Sequence, residues 1–347
     1  MSGLALDDRI HLKHGSGGRA MRRLIEELFL RAFETDPPCR AGVVGVTEMD
    51  DGGAVRIGDR WVVLTTDSHV IQPAFFPGGD IGRLAICGTV NDLAMMGATD
   101  VLGLTCAVVL EDGFSRSSLE RILASMRQAC REASANVIAG DTKVMGKGDV
   151  DGIVINTSGI GLTSTVIRDA GLEPGDRLIV TGTIGDHGIA VMATRHGLEL
   201  DGELRSDVAP LNGLVRVALD AGRGDVVAMK DPTRGGVATT LHEMAAKSGV
   251  GIVLDEAALP VRDAVRGVSE LVGIDPLFVA NEGKAVIGVR ARAAARVLAA
   301  IRAHPLGADA AVIGQCLEER RGMVILDTGV GQRLVAEPEG ELLPRIC

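Results

Sequence analysis

The chain has 347 residues, 46 % of them apolar and only 2 % aromatic, with 46 glycines and a formal net charge of −10. That length accommodates two domains, and a core of Ala, Val, Ile and Leu punctuated by glycine turns suits an α/β class. The acidic balance argues against a nonspecific nucleic-acid binder, which needs a basic face, and the scarcity of aromatics argues against a reader that stacks unpaired bases.

The N-terminal residues MSGLALDDRIHLKHG hold no apolar signal core. The charge-free stretch 152–167 carries Asn, Thr and Ser and is too short to span a bilayer. No membrane role is expected, and the expected location is cytoplasmic. The six cysteines, at 39, 87, 106, 130, 316 and 347, form no C-x-x-C pair and read as reduced thiols. Five suit packing; the sixth is the last residue.

In chain order, a polar glycine-rich start at 9–18 precedes a helix expected over 20–33, where Met21, Leu24, Ile25, Leu28, Phe29 and Ala32 share one face. A strand is expected at 61–66, ending in Asp67, and a helix over 80–96 capped by Asp80. A strand at 99–110, a helix at 117–133 capped by Ser115 or Ser117, a short strand at 136–139 before GDTK, and a strand at 152–162 follow. The turn-rich IRDAGLEPGD, residues 167–176, marks a domain boundary. Beyond it the pattern predicts strands at 177–181, 251–254, 284–289, 311–316 and 323–326. Helices are expected at 187–195, 209–220, 237–248, 261–272 and 291–303. The closing AEPEGELLPRIC predicts a mobile arm.

HGSGG, residues 14–18, imitates a dinucleotide fingerprint but lacks the apolar strand before it. His14, Gly15, Ser16, Gly17 and Gly18 still suit phosphate contact ahead of a helix, or else form a plain flexible turn. GDTKVMGK has the wrong spacing for a Walker A loop, and the histidines show no zinc spacing.

The acidic residues carry more information. Asp67 ends an apolar strand, and Asp141 follows another, with Thr142 and Lys143 next to it. Asp231 precedes PTRGG, and Asp50 and Asp51 precede two glycines. Asp92 falls on the stripe of Ile81, Leu84, Ala85, Gly88, Met95 and Met96, where a charge is costly unless paired or bound to metal. Each alone reads as a turn, a cap or a solvated face. Together they suit Mg²⁺ bridging nucleotide phosphates. Glu282, between Asn281 and Gly283, is either part of a tight turn or a general base at a site edge, and Lys143 is either a surface lysine or a cation near phosphate. Cys347 ends an arm whose dozen residues reach on the order of 40 Å when extended, so its thiol can carry a covalent group into a cleft.

Several motifs resemble the ATP-binding family of aminoimidazole ribonucleotide (AIR) synthetase, selenophosphate synthetase and thiamine-monophosphate kinase. They are HGSGG, TTDSHVI at 65–71, FFPGGDIGRLAICGTVNDLAMMGA at 75–98, GDTKV at 140–144, GTIGDHG at 182–188, DPTRGGV at 231–237, NEGK at 281–284, HPLG at 304–307 and terminal PRIC. HGSGG, DPTRGG and PRIC together resemble the HypE family of hydrogenase maturation factors within that group.

The resemblance implies a two-domain α/β (α+β) fold of the PurM or AIR-synthetase type. Its N-terminal domain would build a dimeric β-barrel, and its C-terminal domain a mixed α/β sandwich. It implies a glycine loop and first helix over 1–40, domains over 41–165 and 166–335, and a tail over 336–347 that carries the modified cysteine. It implies a homodimer, a HypF-type carbamoyltransferase as partner and a HypC–HypD complex as cyanide acceptor.

The reaction implied is dehydration of an S-carboxamide on Cys347 to a thiocyanate, at the cost of ATP, supplying cyanide to the iron of [NiFe]-hydrogenase. Glu282 would take the amide protons, and Lys143 would stabilise negative charge. Asp67, Asp92, Asp141, Thr142 and Asp231 would line the ATP cleft with the glycine loop. Asp67, Asp92, Asp231 and one of Asp50 or Asp51 would hold Mg²⁺. The DDGGA segment is one residue longer than the family pattern, which leaves that last choice open. A small-molecule kinase or synthetase of the same family, or a noncatalytic maturation scaffold, are the competing readings.

Overall fold

The computed structural model describes residues 9–15, 17–33, 42–198, 204–338 and 345–346. Its first helix begins at α1, Gly18–Leu24, continues through a wider π-turn over Ile25–Leu30, and closes as α2, Arg31–Phe33. The apolar face expected over 20–33 is therefore helical, with a bulged centre.

Among the described residues, six strands make the first sheet. They are β1 (Val43–Val44), β2 (Gly53–Ile57), β3 (Arg60–His69), β6 (Asp100–Glu111), β7 (Val137–Met145) and β8 (Ile153–Thr163), in the order β1-β2-β3-β8-β6-β7. A two-strand ribbon, β4 (Phe75–Phe76) with β5 (Gly79–Asp80), precedes the helix α3, Ile81–Met95. Asp80 caps α3 as expected, its carboxylate accepting from the amides of Gly82 and Arg83. A further helix, α4 (Arg116–Glu132), is capped by Ser115.

β8 alternates buried and half-buried residues along its whole length, the mark of a strand with one covered face. Gly159 lets α3 come close: a Cβ there would stand 2.8 Å from Leu93 Cδ1. The opposite face leaves Leu64 and Leu102 about half exposed, and the edge strand β7 leaves Ile138 and Val144 exposed as well. β7 corrects one expectation. GDTK does not follow a short strand but lies inside a long one, because β6 offers parallel partners from Leu104 to Glu111.

The second sheet has the order β10-β12-β9-β13-β11-β14-β15. Its elements in chain order are β9 (Arg177–Val180), α5 (Asp186–Arg195), α6 (Asn212–Gly222), β10 (Val226–Lys230), α7 (Gly236–Ser248), β11 (Gly251–Asp255), α8 (Asp263–Val272), β12 (Val286–Val289), α9 (Ala291–Arg302), β13 (Ala311–Leu317), β14 (Val324–Asp327) and β15 (Gln332–Leu334). Among the described residues of this sheet, β11 and β14 are the one parallel pair. β10 and β15 have no counterpart among the expected strands.

α3 is buried on nearly every side. It packs on β3 and β8, against α4, and against α6 and β10 of the second unit. The stripe read from its sequence is thus one part of a helix enclosed almost all round, as expected of a helix rich in apolar residues on every face. No helix among the described residues is long and apolar enough to cross a membrane.

Candidate functional site

A cleft of about 1230 Å³ opens where the N-terminal helix, the first sheet, α3 and the second unit meet. Asp67 enters it from β3, Asp92 from α3, Asp51 from the loop before β2, Asp231 from the end of β10, and Glu282 from the loop before β12. Gly17 and Gly18 line the same cleft beside His14. The glycine loop is pinned to the second unit: Arg234 Nη1 donates to the Gly15 carbonyl at 3.1 Å. Gly17 has φ +77°, and a Cβ there would fall 2.9 Å from Arg234 Cβ, so this contact needs glycine on both counts. His14 is buried, its Nδ1 accepting from the His11 amide. Ser16 and Cys347 lie outside the described residues.

The carboxylates repel one another. Asp92 is pushed well above the ordinary range by burial and by Asp231, Asp67 and Asp51, while Thr65 donates to its Oδ2 at 2.8 Å and partly offsets this. Asp231 is raised to about 7, by burial and then by Asp51 and Asp67 against the pull of Lys230. Burial also pushes up Asp67, but His69 at 3.2 Å and the Arg234 charge outweigh it and bring the group to about 2. Gly88 makes that pair possible, since a Cβ on α3 there would lie 2.7 Å from His69 Nε2. Glu282 is raised well above its ordinary value, first by burial and then by Asp231, Asp207 and Asp67. Its Oε1 is buried without a partner.

Asp50 and Asp51 differ. Asp50 Oδ2 accepts from Arg168 at 2.6 Å, and its Oδ1 lies 3.7 Å from Lys247. Burial pushes its carboxyl up, but a hydrogen bond shared with Asp169, then Arg168 and Lys247, outweigh this and hold it below the ordinary value. Asp51 meets Lys230, which also approaches Asp169 at 3.6 Å and Glu243 at 3.5 Å. Of the two, Asp51 acts on Asp92 and Asp231. Asp50 belongs to the ion-pair network that ties the first sheet to the 167–176 connection.

Asp141, Thr142 and Lys143 stand outside this cleft. All three are exposed on β7, with Lys143 Nζ 3.0 Å from Asp141. Other residues that build the site carry little signal in the sequence. Asn91, adjacent to Asp92, donates to the carbonyls of Ala209 at 3.1 Å and Glu282 at 3.2 Å and accepts from the Leu211 amide at 2.7 Å. Lys230 and Arg234 flank Asp231 and were legible only as part of the K-D-P-T-R string. The arm expected to be mobile has Arg345 and Ile346 seated on the protein, with Ile346 buried among apolar side chains.

The donor set fits a hard divalent cation. Oxygens dominate, the cluster carries excess negative charge, and Mg²⁺ is held by one or two carboxylates together with phosphate and water. Among the described residues, no three acidic, His or Cys groups already converge as a closed metal centre.

Two glycine-built α/β units with an acidic cleft between them define the class: residues 49–163 match the AIR synthase related protein, N-terminal domain, and residues 173–327 its C-terminal domain. A carbamoyl dehydratase HypE from Escherichia coli K12 is 47 % identical over 342 residues, covering 98 % of this chain and 100 % of that protein. The crystal structure of a HypE–HypF complex superposes with a TM-score of 0.83 at 44 % identity, covering 91 % of this chain and 99 % of that one. A HypE solved in complex with ATP gives 0.79 at 39 % identity, covering 98 % of this chain and all of that one. The chain belongs to the HypE family of carbamoyl dehydratases.

Proposed function

We propose that this chain dehydrates an S-carboxamide on its own Cys347 to a thiocyanate with ATP, and so supplies cyanide for the metal centre of [NiFe]-hydrogenase. The observation that carries the reading is the unpartnered, buried Oε1 of Glu282 in the same cleft as Asp51, Asp67, Asp92 and Asp231. A relative solved with ATP supports ATP as the nucleotide; the reading assigns its phosphates to the glycine loop His14, Gly15, Ser16, Gly17 and Gly18, of which His14, Gly17 and Gly18 line the cleft.

The chemistry follows from the leaving group. A carboxamide oxygen leaves poorly, so it attacks the γ-phosphorus and ADP departs. Glu282, whose environment keeps its proton affinity high, takes an N–H proton. The C≡N bond closes as the C–O bond breaks, and phosphate leaves with the second N–H proton. One ATP and one carboxamide give one thiocyanate, ADP and phosphate. Asp67, Asp92, Asp231 and Asp51 would hold Mg²⁺, which when bound neutralises the triphosphate. Asp50 is committed to Arg168 and takes no part in this assignment.

Lys143, Asp141 and Thr142 reach this chemistry through a homodimer. The exposed apolar face of the first sheet and its open edge β7 support pairing of a second copy there, since an uncovered edge is a template for strand addition. A HypF-type carbamoyltransferase, favoured by the solved complex of a relative, loads Cys347, and a HypC–HypD pair accepts the cyanide. The units divide at 1–40, 41–165, 166–335 and 336–347, in the cytoplasm. The test is Cys347→Ala. It is expected to abolish thiocyanate formation and leave ATP affinity intact; loss of ATP binding overturns the carrier role.

A further inference from the structure

Glu282 has a buried carboxyl oxygen without a partner, yet both polar groups of its main chain are held. Its carbonyl accepts from Asn91 Nδ2 at 3.2 Å, and its amide donates to Asp207 Oδ1 at 3.0 Å. The residues around it are fixed as well. The Asn281 amide donates to the Pro232 carbonyl at 3.0 Å, and the Ala285 amide donates to Thr181 Oγ1 at 2.9 Å. The bond to Asp207 brings a carboxylate to the Glu282 main chain, and a hydrogen bond to a charged group is about twice as strong as a neutral one.

Asp207 lies in the connection between α5 and α6, and that connection is itself tied to the first unit. The Ser206 amide donates to the Pro77 carbonyl at 2.8 Å, and Arg83 Nε of α3 donates to the Val208 carbonyl at 2.9 Å. Where the connection crosses the Glu282 loop, only a glycine fits: a Cβ on Gly283 would stand 1.9 Å from the Asp207 carbonyl oxygen. Lys284 then turns back on Asp207, its Nζ 3.2 Å from Oδ2, with the two side chains 10 % and 4 % exposed. Gly182 leaves room for that lysine, since a Cβ there would stand 2.8 Å from Lys284 Cε. Burial pushes the Asp207 carboxyl up, but Lys284, then His187 and the Glu282 amide, outweigh this and hold it below its ordinary value.

Glu282 lines the cleft, whereas Asp207 and Lys284 stand behind it. We infer that Asp207 is a positioning residue for Glu282: paired with Lys284 and tied to α3 through its own segment, it holds the Glu282 amide and so fixes where the carboxyl stands in the cleft. The inference deepens the reaction proposed above and rests on its use of Glu282. It also gives the NEGK string a physical meaning, with Glu282 facing the cleft, Gly283 permitting the crossing and Lys284 balancing the buried charge of the anchor.

The test uses the full chain and two paired variants, each of which removes the ion pair without leaving a lone buried charge. Asp207→Ala with Lys284→Met takes away the acceptor of the Glu282 amide. Asp207→Asn with Lys284→Gln keeps an acceptor oxygen in a side chain of the same shape. Three quantities are read on each: amide hydrogen exchange in the peptide spanning 280–285, ATP affinity, and the single-turnover rate of dehydration of the carbamoylated chain. In the Ala–Met variant exchange is expected to quicken about tenfold and dehydration to slow about a hundredfold at unchanged ATP affinity, because a misplaced group costs rate rather than binding. The Asn–Gln variant is expected to recover both to within about threefold of the wild type. Unaltered exchange in the Ala–Met variant overturns the positioning role. So does a slowed rate that the Asn–Gln variant fails to recover, or one that comes with lost ATP affinity. A Glu282→Gln chain that dehydrates at the wild-type rate, while exchange follows the expected pattern, upholds the anchor and overturns the use of Glu282 in the proposed reaction. Loss of dehydration in Glu282→Gln, with both paired variants turning over like the wild type, does the reverse.

Discussion

Asn91 Nδ2 donates to the carbonyl of Glu282 at 3.2 Å, so the helix that carries Asp92 also holds the loop that carries Glu282. The same side chain accepts from Leu211 and donates to Ala209, which clamps α3 to the second unit. Asn91→Ala leaves two buried carbonyls and one amide without this partner, a loss of about 1–3 kcal/mol for each unsatisfied group. We expect a lowered melting temperature and a fall in kcat larger than any change in ATP affinity. Calorimetry and steady-state kinetics on one preparation separate the two.

Asp92→Asn should act in opposite directions on the two states of the cleft. Without nucleotide it removes a buried like charge beside Asp231, Asp67 and Asp51, so the protein should melt at a higher temperature. With MgATP it removes a cation ligand, and affinity should fall about tenfold or more, which is about 1.4 kcal/mol. Titration calorimetry and thermal melts on the same variant check both signs. An unchanged affinity would count against a metal role for Asp92.

The pH dependence follows from Asp231, raised to about 7. Its unfolded form loses the proton near the ordinary value of 3.8, its folded form only near 7, so between those values the folded state binds more protons. Stability of the nucleotide-free protein should therefore decline as pH rises from about 4 to 7 through this group. Asp67, lowered to about 2, works the other way: its contribution is present above 3.8 and is lost as pH falls toward 2. A cation favours ionised carboxylates, so MgATP should bind more tightly at pH 8 than at pH 6. Asp231→Asn should flatten that slope, which binding titrations at several pH values would reveal.

Lys230 is the hub of the ion pairs that join the first sheet to the second unit, touching Asp51, Asp169 and Glu243. Lys230→Met leaves those acids without their shared cation. Removing one partner of a buried pair costs about 3–5 kcal/mol, and denaturant unfolding should show a loss of that order. Lys143→Met, changing an exposed pair on β7, should leave the melting temperature of the monomer unchanged.

Local patterns were legible. The Asp80 cap, the Ser115 cap, the run of α3 and most strands of both sheets follow from short-range periodicity and turn chemistry. β10 was not, because VVAMK is short, lacks alternation and runs directly into Asp231 and Pro232. The acidic cleft was legible as a set of residue types, since Asp67, Asp92, Asp231 and Glu282 each stood out in an apolar or glycine-rich setting. The different surroundings of Asp50 and Asp51 were not, because they are made by Arg168, Lys247 and Lys230, more than a hundred residues away. Asp141, Thr142 and Lys143 were expected in the cleft and stand on an exposed edge strand, a placement set by pairing with β6 that no local pattern reveals. Asp207 carried no signal of its own; its meaning depends on a contact with the Glu282 amide, 75 residues further along the chain.

In the proposed reaction Cys347 carries the reacting group. The direct measurement is the intact mass of the protein, with peptide mapping, after incubation with a HypF-type carbamoyltransferase, carbamoyl phosphate and ATP. The C-terminal peptide is expected to gain a carbamoyl group that loses one water in the presence of MgATP, and the adduct is expected to persist unchanged in Glu282→Gln. An unmodified terminal peptide, found together with ATP-dependent turnover of a soluble small molecule, would contradict it and point to a kinase or synthetase instead.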